Sequence, residues 1–200
     1  PGPPATRLRP RTLNFEQFSE IRDRCRDAGM EFILTFHDPF HLDWIERLDL
    51  DAIKIGSGEK NNTPYLKQLG SFRRPVIVST GMCSLDEVLE SVNAVADGGC
   101  REVGALHCVT SYPTPPEALN LSAMDSMREA FPGPVGYSDH TEDDLASMCA
   151  VARGAKIIEK HITILRDVPN AQDWKVSCGP DDFAQFVERI RRVEASLGNG

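Results

Sequence analysis

The stretch Pro75-Val76-Ile77-Val78-Ser79-Thr80-Gly81-Met82-Cys83-Ser84-Leu85-Asp86-Glu87 decides how this chain is read. Its first part is a short unbroken apolar run, the pattern of a strand covered on both faces. Its last part is a helix start: Ser84 followed three residues later by Glu87 is a capping-box pattern, and apolar positions continue at helical spacing to about residue 97. The same unit recurs on both sides. Apolar runs near 31–36, 52–56, 75–79, 102–108, 133–137 and 156–162 alternate with helical patterns near 40–48, 63–70, 84–97, 117–131, 142–153 and 180–197. Thr141 and Asp143 stand before the pattern at Leu145, and Pro180-Asp181-Asp182 opens the last one. Six strands, each followed by a helix, predict a parallel α/β sheet.

Two architectures fit this alternation: an open doubly wound sheet or a closed (β/α)8 TIM barrel. A closed barrel needs eight units and about 250 residues. Ahead of the first run only a helical pattern, Phe15, Phe18, Ile21 and Cys25, is visible. A barrel would therefore lack about two units at its front. Residues 1–13, opening Pro1-Gly2-Pro3-Pro4, are proline-rich and basic and read as a tail or a cut end, with the partial barrel over 14–200.

Composition narrows the function classes. Of 200 residues, 40% are hydrophobic and 26% charged, which is ordinary globular usage and excludes disordered and collagen-like chains. The net charge of −8, with no basic stripe, argues against a nucleic-acid partner. No apolar stretch reaches about 18 residues, so no membrane association is expected. Six cysteines without a CxxC pair read as buried hydrophobes of a reducing compartment, and a cytoplasmic location is expected.

Polar residues gather where the strands end. His140, in Gly136-Tyr137-Ser138-Asp139-His140, and His161, in Glu159-Lys160-His161-Ile162-Thr163, lie one βα unit apart, so two neutral imidazoles can reach one divalent ion. Lys54 lies inside the apolar run Ala52-Ile53-Lys54-Ile55, where a cation needs an anion: a ligand, or a neighbouring carboxylate in a structural salt bridge. With Ser57, Ser79 and Ser138 it would form a cup of donors for a phosphate or carboxylate. Glu59 follows Ser57-Gly58 at a strand exit, placed for acid–base work or a sugar hydroxyl, or simply for a helix start. Tyr112 sits in the stiff loop Ser111-Tyr112-Pro113-Thr114-Pro115-Pro116, which would project its ring over the site, although on residue type alone it reads as packing. Asp173 lies in a long aperiodic segment from Arg166 to Gly179, as a partner for a metal-bound water or as a surface turn. His37 and His41, flanking Asp38-Pro39-Phe40, lack metal spacing and read as structural or rim residues.

Taken together, Lys54-Ile55-Gly56-Ser57-Gly58-Glu59, Val78-Ser79-Thr80-Gly81-Met82, Leu106-His107-Cys108 with Ser111-Tyr112-Pro113-Thr114-Pro115, Gly136 to Thr141 and Glu159 to Thr163 resemble the sialic acid (N-acetylneuraminate) synthase family. The resemblance runs in order from about Asn14 to the C-terminus. It implies a (β/α)8 barrel of which this chain carries strands three to eight. On that resemblance, the family's first two βα units and its C-terminal antifreeze-like domain are expected to have no counterpart in these 200 residues.

The resemblance also implies a metal-dependent, C–C bond-forming transferase. Phosphoenolpyruvate condenses with an N-acylated hexosamine to give a nonulosonic acid and phosphate. His140 and His161 would bind Mn²⁺ or Mg²⁺; Lys54, Ser57, Ser79, Thr110 and Ser138 would hold phosphoenolpyruvate; Glu59, Tyr112 and Asp173 would face the reacting centre. Asp173 matches the family's acidic position only with one extra residue allowed, since ungapped counting lands on Gln172, and Leu165 replaces a common aspartate. The full-length protein is expected to be a homodimer. Legionaminic, pseudaminic and spore-coat sugar synthases share these motifs, and a non-catalytic binding or assembly subunit on the same barrel is the alternative of another class. An open barrel exposes strand edges, so the isolated 200-residue piece is expected to be unstable.

Overall fold

The structure, a computed structural model, describes residues 12–169 and 171–198. The tail expected over 1–13 lies outside the described residues as far as residue 11. Helix α1, Phe15–Asp27, opens on a reciprocal cap in which the Asn14 side chain accepts from the Gln17 amide and the Gln17 side chain from the Asn14 amide, each at 2.9 Å. Among the described residues seven strands follow: β1 Ile33–Thr35, β2 Ala52–Ile55, β3 Val76–Ser79, β4 Val103–Cys108, β5 Val135–Asp139, β6 Ile158–Ile162 and β7 Ser177–Cys178. Between and after them lie α2 Trp44–Arg47, α3 Thr63–Gly70, α4 Leu85–Asp97, α5 Ala123–Ala130, α6 Leu145–Ala152 and α7 Pro180–Leu197.

Every strand pairs in parallel with its successor, in the order β1-β2-β3-β4-β5-β6-β7. A doubly wound sheet reverses its order at a switch point. No reversal occurs here, so the strands progress one way round, as barrel staves do. The curl is visible in one contact. Lys54 on β2 and Glu159 on β6 are four strands apart, about 19 Å in a flat sheet at a spacing of about 4.8 Å, yet their charged atoms lie 3.3 Å apart. The chain forms a partial barrel.

Period-two alternation divides the strand residues between two faces. Ile53, Ile55, Val76, Val78, Ala105, Val135 and Tyr137 face the helices and join a core with Leu66 and Leu69 of α3, Val92 and Val95 of α4, and Met124 and Met127 of α5. The opposite positions, Thr35, Lys54, Ser79, Cys108, Ser138, Glu159 and His161, face the concave side.

Four local features depart from the sequence expectation. The helix near 40–48 shrinks to Trp44–Arg47, with Asp49 at φ 47 just beyond its end. The pattern near 117–131 splits into a 3-10 turn, Pro116–Ala118, and α5, with Asn120 at φ 44 between them. Another 3-10 turn, Asp173–Val176, falls inside the segment expected to be aperiodic. β7 is a seventh strand where six were expected; its two residues pair with His161 and Ile162 and are too few to show an apolar run. Among the described residues no helix is long and apolar enough to cross a membrane.

Helices α3 and α4 meet through glycines. A methyl group on Gly70 would fall on the Val95 carbonyl and lie 3.2 Å from the Gly98 Cα, while one on Gly98 would fall on the Lys67 carbonyl. The obstacle is backbone on both sides, which cannot rotate away. Gly70→Ala should therefore destabilise the intact protein by about 1–3 kcal/mol through overpacking, read as a lower denaturant midpoint with an unchanged slope; an unmoved midpoint would show that the helices separate freely.

Candidate active site

The C-terminal ends of the strands open onto a cavity of about 570 Å³ on the concave face. Eight of the residues singled out from sequence line it: Lys54, Ser57, Ser79, Thr110, Tyr112, Ser138, His140 and His161. They arrive from β2, β3, β4, β5 and β6 or the loops just past them, so the topology gathers what the sequence spreads over more than a hundred positions.

Lys54 is 8% exposed. Its ammonium donates to the Ser79 hydroxyl at 2.6 Å and to the Ile55 carbonyl at 3.3 Å, and pairs with the Glu159 carboxylate at 3.3 Å. Both readings of this lysine are thus present together: it has a neighbouring carboxylate, and it sits among hydroxyl donors facing the cavity. The other Glu159 oxygen accepts the Ser138 hydroxyl at 2.6 Å. Glu159 was visible in sequence only as part of a motif, because its partners lie 105 and 21 positions away.

The second half of the cup is built around Gly81. Its amide donates to the Ser57 hydroxyl at 2.9 Å, and Ser57 lies 3.4 Å from the Cys108 sulfur. A methyl group on Gly81 would stand 2.6 Å from the Thr110 hydroxyl and 2.9 Å from that of Ser57. Glycine is what allows the three side chains to converge.

His140 is held in one tautomer. Its Nδ1 lies 2.7 Å from the Val109 carbonyl, which can only accept, so Nδ1 carries the proton and Nε2 offers a lone pair. Ser138 gives its proton to Glu159, which leaves the Tyr112 hydroxyl, 3.1 Å away, as the donor to Nε2. Burial pulls the His140 pKa below its ordinary value, against the opposing pull of the Val109 hydrogen bond, and keeps the ring neutral. The His161 ring stands 5.4 Å from that of His140, and its nitrogens have no hydrogen-bond partner among the described residues. The Tyr112 ring lies 4.1 Å from His140 and 5.8 Å from His161, so this tyrosine belongs to the site rather than to packing. Burial, followed by the charges of Cys108, Asp173 and Glu159, pushes its hydroxyl pKa up.

Two ring nitrogens from neighbouring strands, His140 Nε2, which an ion would share with or take from the Tyr112 hydroxyl, and one of His161, fit a divalent ion that keeps open positions. No group of three His, Cys, Asp or Glu side chains able to hold a metal occurs among the described residues. An ion at the two histidines would complete its coordination with water or substrate.

Glu59, Asp173 and His41 stand apart from the cavity wall. Glu59 ends the 3-10 turn Ser57–Glu59 and accepts from the Asn62 side chain at 3.0 Å. Asp173 is exposed on its own 3-10 turn and reaches the site only through its charge on Tyr112. His41 stacks on Trp44 at 4.5 Å, a structural role as expected. His37, read as structural or rim, lines the cavity and packs against Gly56, where an added methyl would lie 3.3 Å from its ring.

The comparisons agree with one another. A family model described as "NeuB family" matches residues 5–200. The chain is 36% identical over 190 residues to the N,N'-diacetyllegionaminic acid synthase of Campylobacter jejuni, covering 94% of this chain and 57% of the relative. It is 38% identical over 182 residues to the spore coat polysaccharide biosynthesis protein SpsE of Bacillus subtilis, covering 90% and 48%. Among solved structures, the N-acetylneuraminic acid (sialic acid) synthetase of Leptospira borgpetersenii, in complex with citrate, superposes with a TM-score of 0.90 at 30% identity, over 96% of this chain and 67% of that one. The chain spans about half the length of the curated relatives it matches.

His107 serves the fold from the other face of β4. Its Nε2 lies 2.8 Å from the Leu119 carbonyl, and its ring stacks on Tyr137 at 6.0 Å. Burial lowers its pKa, opposed by the Leu119 hydrogen bond, so the folded state keeps the ring neutral. Below the ordinary histidine pKa of about 6.5 the unfolded chain binds a proton that the folded one refuses, and stability is lost as pH falls through that value. The denaturant midpoint of the intact protein should drop between about pH 7.5 and about pH 5.5, and His107→Asn, which retains a donor for Leu119, should flatten the drop. An equal slope in the variant would remove His107 from the account.

Proposed function

The chain belongs to the NeuB family, and on that premise we propose that the intact protein condenses phosphoenolpyruvate with an N-acylated hexosamine to form a nonulosonic acid and inorganic phosphate. The observation that carries the reading is one cavity that holds both a cation–hydroxyl cup and two histidine side chains whose rings stand 5.4 Å apart. Lys54, Ser57, Ser79, Thr110 and Ser138 bind the phosphate and carboxylate of phosphoenolpyruvate through charge-assisted hydrogen bonds. The anion takes over from Glu159 as the partner of Lys54, so the lysine stays compensated whether or not substrate is bound.

A divalent cation, Mn²⁺ or Mg²⁺, held by His140 and His161 would supply Lewis-acid polarisation of the open-chain sugar aldehyde. Carbon 3 of phosphoenolpyruvate forms the new C–C bond to the aldehyde carbon. Water then adds to carbon 2, and the C–O bond to phosphate breaks, leaving the 2-keto acid. Tyr112 orients the reacting carbon beside His140. Glu59 and Asp173 act at the rim, on sugar hydroxyls and on water. The product is assigned at the level of the nonulosonic acids; the relatives include synthases for legionaminic and spore-coat sugars.

Phosphate release by the intact protein, given phosphoenolpyruvate and a panel of N-acyl hexosamines, tests the proposal. Release that needs one sugar and Mn²⁺, and disappears in His140→Ala, is the expected outcome; no release with any sugar would favour a binding or assembly subunit. In the same assay Gly81→Ala should lower kcat/KM for phosphoenolpyruvate about 100-fold by forcing Thr110 and Ser57 apart, and a wild-type value would exclude those hydroxyls from the phosphate cup.

A further inference from the structure

Behind the two histidines, on the helix-facing side of the sheet, lies a charged pair that the proposed reaction does not use. Asp139 and Lys160 are register partners on β5 and β6, and each immediately precedes one of the histidines. Their side chains are 0% and 2% exposed, and their charged atoms are 3.3 Å apart. Every polar direction is taken. Asp139 accepts from the Thr141 amide at 2.8 Å, the Thr141 hydroxyl at 2.7 Å and the Ser147 hydroxyl of α6 at 2.5 Å. Besides its ion pair, Lys160 donates to the Thr141 carbonyl at 2.7 Å and the Asp143 carbonyl at 3.0 Å.

A buried ion pair adds little net stability, because desolvation offsets the attraction, but it strongly disfavours any arrangement that separates the two charges. Here such a separation would require β5 to slide against β6, or the Thr141–Asp143 turn to lift off Lys160. Either movement would carry His140 away from His161. Ordinary apolar packing at these positions would hold the sheet together but would resist a small slide far less. We propose that the Asp139–Lys160 pair is a positioning device that sets the separation of the His140 and His161 rings, and thereby tunes the affinity of the site for a divalent cation. The proposal rests on the reading of the two histidines as cation ligands.

Titration of the intact protein with Mn²⁺, following the electron paramagnetic resonance of the free ion, tests it with no turnover required. Lys160→Met should weaken Mn²⁺ binding about 10- to 100-fold, the loss usual when groups that orient metal ligands are removed. Lys160→Arg, which preserves the charge, should recover most of the affinity. Leu69→Ala, in the fully buried core away from the site, should lower the melting temperature and leave the affinity as in the wild type. Should Lys160→Met fail to give a cooperative melt, Asp139→Asn combined with Lys160→Gln keeps the hydrogen-bonding groups without the charges and is read in its place. Wild-type affinity in a cooperatively melting charge-free variant, or an equal affinity loss in Leu69→Ala, would overturn the positioning role. Absence of Mn²⁺ binding by the wild-type protein would instead overturn the cation reading itself.

Discussion

A lysine inside an apolar strand sets the main constraint on this molecule. Lys54 cannot leave its charge in the core of a parallel sheet without an anion, and the carboxylate it meets belongs to a strand four places away. A flat sheet cannot bring the two together; a curled one does so across its concave face. The contact therefore ties the curvature of the sheet to the chemistry of its polar end, and the hydroxyls of Ser79 and Ser138 are drawn to the same two side chains. The geometry of the cup is a property of the whole sheet rather than of any one loop.

The site also rests on a division of labour between sheet faces. Alternation along β5 and β6 sends Ser138, His140, Glu159 and His161 to the cavity, and Tyr137, Asp139 and Lys160 to the helices. The two sets have different electrostatic needs. Cavity residues keep unsatisfied or exchangeable capacity: a replaceable tyrosine partner for His140, open nitrogens on His161, a replaceable carboxylate partner for Lys54. Asp139 and Lys160 behind them are saturated with hydrogen bonds, and no buried side-chain nitrogen or oxygen among the described residues is left unpartnered. Rigidity at the back permits openness at the front.

Much of this was legible in the sequence, because the signals were local. Unbroken apolar runs located six of the strands, α3 was placed at 63–70, and the Ser84 cap was read from four consecutive residues. The strand ends named eight side chains that share the cavity. Signals carried by distance were not legible. Glu159 becomes a site residue only through Lys54 and Ser138, and His37 is a wall of the cavity only because the sheet brings it over Gly56. The need for glycine at position 81 depends on Thr110 and Ser57, which no spacing rule connects. β7 is two residues long, shorter than any periodicity can register.

The same alternation decides which changes of length the protein can accept over generations. One inserted or deleted codon between Tyr137 and His140, or between Glu159 and His161, would turn each side chain beyond it to the opposite face, exchanging an imidazole for a saturated charge and a saturated charge for an imidazole. A substitution there alters one contact, whereas a frame-preserving insertion inverts the whole strand end. The turns that follow the strands carry no such parity. Lineages of this fold can be expected to lengthen and shorten those turns freely while holding the residue count of β5 and β6 fixed.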